Sequence, residues 1–149
     1  MKVAPAHASP RPLVGVLLAA LGLQLLLGMW VNLWVVIPAA HPGADAASYF
    51  AGVLQVVGWA IAHGALMLQL HVALGLLLFA GAIAALVVAI RGGRRAWVWA
   101  TVLGFNGVTG AAFNGASFLI FGQDFSSYLM TVAFVIAAAS YAAGLLAAR

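Results

Sequence analysis

Residues 46–95 read AASYFAGVLQVVGWAIAHGALMLQLHVALGLLLFAGAIAALVVAIRGGRR. From Ala46 to Ile90 there is no Lys, Arg, Asp or Glu, and then Arg91, Arg94 and Arg95 follow in quick succession. A single bilayer crossing needs about 20 apolar residues, so this run is about twice too long for one. Two crossings would require a tight turn near Gln69-Leu70-His71, where no Gly, Pro or charge marks it. They would also place the three arginines outside, although short cytoplasmic loops are the ones enriched in Lys and Arg. One crossing over Ala65–Ile90, preceded by an interfacial or re-entrant helix over Ala46–Ala62, meets both objections. Gly64 marks the bend. On the shorter helix Ser48, Gly52, Gln55 and Ala62 form a small or polar stripe, while Tyr49, Phe50, Trp59 and Ile61 supply the interface-seeking side chains.

The rest of the chain follows from this segment. Upstream, Leu13–Ile37 is an apolar run ending at Pro38. It is far longer than the about 7–15 residues of a signal-peptide core, so an uncleaved first span is expected. Residues 1–12, with Lys2, Arg11 and three prolines, read as a cytoplasmic tail. Downstream, Ala96–Phe121 is the third span and Phe125–Ala147 the fourth, and Trp97 and Trp99 are placed in an aromatic belt. The breaks at His41-Pro42-Gly43-Ala44-Asp45 and Gly122-Gln123-Asp124 carry no Lys or Arg. All six Lys/Arg, Arg149 included, then lie on one side. The expected fold is all-α: an integral membrane four-transmembrane-helix bundle with an extra interfacial or re-entrant helix in the first outer loop. It is one membrane domain over residues 1–149, multi-pass in the cell membrane, with N and C termini cytoplasmic.

Composition supports lipid as the main solvent. The chain is 66% hydrophobic and 5% charged, where soluble domains carry about 25% charged residues. The isoelectric point near 10.4 does not imply nucleic acid, because the cations flank apolar segments instead of forming a basic patch. Absence of cysteine excludes disulfides, thiol redox chemistry, Cys-ligated zinc and iron–sulfur clusters.

A weak repeat is present. Gln24, Gly28 and Asn32 recur at intervals of four, as do Asn106, Gly110 and Asn114. Each trio precedes an Asp-x-x-Ser-Tyr sequence, at Asp45–Tyr49 and Asp124–Tyr128. Spacing of four puts a trio on one helix face, and Asp45 and Asp124 suit helix N-caps. The pattern reads either as a pseudo-symmetric pair of helices lining one site or as packing glue. Gly107, Ala111 and Gly115 read as close packing.

His71 is the sharpest single feature, the one ionisable side chain placed well inside the hydrocarbon, where such residues are costly and usually functional. Asn32 near the outer end of the first span, His63 at the outer rim about two turns above His71, Met67 and Gln69 between them, and Asn114 in the outer third of the third span complete the candidate site, in the outer half of the membrane. Haem b and a quinone at His71 and Asn114 are the ligands considered. Clamping one iron between His63 and His71 is opposed by their separation of about 12 Å along one helix, so a haem would be five-coordinate or need His41 or a second copy. Met67 and His71, at i and i+4, could hold a soft metal ion. No P-loop, nucleophile elbow or dinucleotide fingerprint appears. The leading expectation is a non-catalytic accessory or scaffold component, working as a homo-oligomer or in a larger membrane complex. A haem- or quinone-binding redox protein is the first alternative, and a small transporter or channel the second.

Overall fold

The computed structural model describes residues 9–147. They form five α-helices: α1 (Arg11–Trp34), α2 (Tyr49–His63), α3 (Leu66–Gly92), α4 (Arg95–Phe121) and α5 (Asp124–Ala147). Three of them, α1, α3 and α5, are long and apolar enough to cross a membrane. α4 matches α3 at 27 residues but is less apolar, diluted by Asn106, Asn114 and the glycines at 104, 107, 110 and 115. The tail expected over residues 1–12 falls mostly on residues 1–8, outside the described residues, as does Arg149. Arg11 and Pro12 already belong to α1.

Helix ends follow local chemistry. α1 stops at Trp34, three residues before the expected end. Val35 is already extended at ψ 118°, and a residue before proline is disfavoured in the helical region, so Pro38 stops the helix from resuming at Ile37. α2 starts at Tyr49, capped by Ser48, whose hydroxyl accepts from the Ala51 N–H at 3.4 Å. Asp45 is therefore not the cap; it sits in the preceding turn, while Asp124 is the first residue of α5. The two Asp-x-x-Ser-Tyr sequences are thus not structural equivalents, and the apparent repeat does not extend to its loops. Gly93 and Gly122 end α3 and α4 at φ +66° and +64°, the left-handed geometry that lets a helix terminate within one residue. Each leaves a two-residue link to the next helix.

The four long helices touch neighbour to neighbour in the order α1, α3, α4, α5 and back to α1, with no close backbone approach across either diagonal among the described residues. α2 lies against α3 and α4. The α4–α5 contact is the most extensive and α1–α5 the sparsest of the four. One core joins the N-terminal half of α1, the C-terminal halves of α3 and α5, and α4: Leu17, Leu78, Ala82, Trp97 and Tyr141 belong to it. This end also carries Arg11, Arg91, Arg94 and Arg95. A second core, with Val31, Val56, Leu68 and Leu119, closes the opposite end beneath α2. Trp97 is 2% exposed and therefore a core residue, not part of a belt; Trp99 alone of that pair faces outward. The indole of Trp97 fills space that Gly144 leaves, for a Cβ there would come within 3.1 Å of its ring.

Candidate functional site

Between the two cores the helices do not close. A cleft of about 460 Å³ extends from Leu21 to Asn32 on α1, along α3, α4 and α5, and under Tyr49 and Phe50 of α2. That volume suits one small molecule. Most of the lining is aliphatic, aromatic or methionine, and among the described residues no Lys, Arg, Asp or Glu contributes to it.

The polar part of the wall centres on α1 and α3. The Gln24 amide Nε2 donates to the backbone carbonyl of His71 at 3.1 Å and lies 3.3 Å from His71 Nε2. Donation to a carbonyl fixes which end of the amide is nitrogen, since the amide oxygen there would be repelled. The imidazole then accepts at Nε2 and carries its proton on Nδ1, the neutral tautomer. Two glycines make the contact: a Cβ on Gly28 would meet His71 Cε1 at 3.0 Å, and one on Gly75 would meet Gln24 Nε2 at 3.3 Å. Each helix thus gives up a side chain where the other inserts a polar one.

Three polar atoms of this wall are buried without a hydrogen-bond partner among the described residues: Gln24 Oε1, His71 Nδ1 and Thr109 Oγ1. All three side chains line the cleft. Thr109 is unusual on its own terms. Thr101 and Thr131 both donate back to the carbonyl four residues earlier, at 2.8 and 3.1 Å, the ordinary solution for a helical threonine. A buried unmade hydrogen bond costs about 1–3 kcal/mol, so three around one cleft call for a cause.

The six residues singled out from sequence separate. His71 and Asn32 line the cleft, and Asn32 Oδ1 accepts a long 3.5 Å contact from Ser127. Asn114 does not line it; its Nδ2 donates to the Gly110 carbonyl at 2.8 Å. Asn106 is exposed and bonds back to Val102, so the second amide trio forms no counterpart to the first. His63 is exposed at the end of α2. Met67 packs against the second core, and Gln69 is half-buried outside the cleft. His41 stacks on Trp59 with ring centres 4.9 Å apart, away from His71. The residues missed are Gln24 and Thr109. The one available signal was the Gln24–Gly28–Asn32 face, which is the cleft wall.

His71 turns Nε2, the usual axial ligand atom, to Gln24, and among the described residues no second histidine lines the cleft to face it across a haem. No group of three His, Asp or Glu able to hold a metal exists among the described residues. Comparison with known proteins finds no match for this chain among protein-family models, curated proteins or solved structures. The chemistry of the site therefore rests on its own geometry.

Proposed function

We propose that this chain is a four-span membrane protein that serves as a non-catalytic binding component, holding one small, largely apolar molecule in the cleft between its cores. The observation that carries the reading is an apolar cleft whose wall holds three buried, unpartnered polar atoms, at Gln24, His71 and Thr109. Apolar walls with a few convergent polar groups are the usual composition of a ligand site. In the test, the protein is purified in mild detergent and its bound small molecules are extracted and weighed by mass spectrometry. Val72→Trp, which fills the cleft, should remove a molecule that Leu77→Trp, on an outward face, retains. Equal retention by both variants, or nothing bound to the wild type, sinks the idea.

The four-span topology rests on the short links. If α3 and α5 cross, α4, which has the same length as α3 and is tied to both by two-residue connections, has to cross back between them. α2 then lies on or dips into the outer face, with Phe50 and Leu54 directed outward. The described arginines share one end of the molecule, which the bias of cytoplasmic loops places inside. Since the chain has no native cysteine, single cysteines at the exposed Ala96 and Gln123 report sidedness cleanly. An impermeant thiol reagent on intact cells should label only the second; labelling of both from one side contradicts the topology.

A further inference from the structure

The class of guest can be narrowed from the three unpartnered atoms, an inference that rests on the cleft being a binding site. We propose that the cleft recognises an uncharged lipid alcohol: a hydroxyl group carried on a hydrophobic body, with a phenolic or quinol hydroxyl included.

Each atom has a fixed role. The Gln24 amide nitrogen is engaged by His71, so its oxygen remains as an acceptor only. His71, accepting from Gln24 at Nε2, leaves Nδ1–H as a donor only. The Thr109 hydroxyl serves either way. The wall therefore offers a separate donor and acceptor on two side chains already in contact, with a third adaptable group on α4. A hydroxyl is a small neutral function that answers both, accepting from His71 Nδ1–H and donating to Gln24 Oε1.

Other functions leave something unmatched. A quinone has acceptors only, so Gln24 Oε1 would stay without a donor. A hydrocarbon leaves all three atoms orphaned. A carboxylate, phosphate or ammonium group would bring a charge into a wall with no Lys, Arg, Asp or Glu to balance it, and an unpaired charge in apolar surroundings is strongly disfavoured. The three atoms are shielded from water, so they meet a guest only when the wall parts around it. The surrounding Met29, Met130, Phe113 and Phe134 suit a hydrophobic body of variable shape.

The experiment uses the whole protein in lipid nanodiscs, with isotopically labelled hexadecanol, hexadecanoate and hexadecane as probes. Hexadecanol should bind at least about tenfold more tightly than the other two and should move the His71 Nδ1 resonance in nitrogen NMR. Thr109→Val and Gln24→Leu should each weaken alcohol binding by about fivefold while leaving hexadecane binding unchanged, the size expected for one lost neutral hydrogen bond. Thr109 lies off the α1–α3 contact, so its variant keeps the test available should Gln24→Leu fail to fold. If alcohol and hydrocarbon bind equally, and Val72→Trp abolishes both, the cleft reading survives and the alcohol assignment is overturned. Preference for hexadecanoate overturns it as well. If no probe binds the wild type, both readings fail.

Discussion

The two halves of this molecule solve the same packing problem in opposite ways. At the end bearing the arginines, large rings are matched to missing side chains: Tyr141 lies over Gly104, and Trp97 over Gly144. Tyr141, Val14, Ala82 and Ala85 are fully buried there. In the other half the same four helices carry similar residues, yet a cleft remains. Hydrophobic burial does not separate the two, because inside a bilayer lipid is as apolar as leucine. Close contact does. Where glycine faces a ring or a backbone the helices touch directly, whereas Gly28 faces the His71 side chain, which fills the space between α1 and α3. The sealed half is built for cohesion, and the open half is where the proposed guest would sit.

The contrast can be broken most severely at Gly107. A Cβ there would stand 2.6 Å from the Ala137 nitrogen and 2.7 Å from the Ala133 oxygen, and backbone does not yield as a side-chain end does. Gly107→Leu should therefore separate α4 from α5 and cost more than about 3 kcal/mol, seen as loss of the folded form in detergent melting. A native-like melt would mean that α4 and α5 are not in backbone contact.

Next in size is a matched pair of truncations. Leu17→Ala in the sealed half should cost about 3 kcal/mol, because a close-packed site away from the cleft leaves a cavity when trimmed. Met130→Ala on the cleft wall should cost about 1 kcal/mol or less, since the space already exists. Equal losses in a denaturation series would show that the cleft half is as tightly packed as the other.

Smaller still is Tyr141→Phe. The Tyr141 hydroxyl is buried without a partner among the described residues, so its removal should leave stability unchanged or raise it by about 1 kcal/mol. A clear loss would reveal a bond made in the membrane. Gly28→Ala should act least on stability and most locally. The imidazole end, 3.0 Å from the new carbon, has to shift by a few tenths of an ångström, read as a changed His71 resonance with a melt within about 0.5 kcal/mol of wild type.

How much of this was legible in the chain depends on distance along it. The helices were, because apolar runs and their breaks are local: Leu66–Gly92 stands against an expected 65–90, and Tyr49–His63 against 46–62. The cap of α2 was misassigned by three residues because Asp45 and Ser48 are both good caps, and only the turn at Gly43 decides between them. His71 was conspicuous, as the single ionisable group deep in an apolar run. Asn114 was misleading, for a helical amide that bonds its own backbone looks the same in sequence as one that reaches across. Gln24 and Thr109 needed the register of α1 on α3 and of α4 beside them, which no spacing within one helix supplies.

The sparse α1–α5 contact has a consequence in time. α1 leaves the ribosome well before α5, and α3, α4 and α5 are tied by links too short to rearrange. On an incomplete chain the His71 wall would therefore face open lipid. The proposed site would come into being only when the late helix docks beside the early one, and a guest present during synthesis would then favour that last docking step, acting as an assembly factor before it acts as cargo.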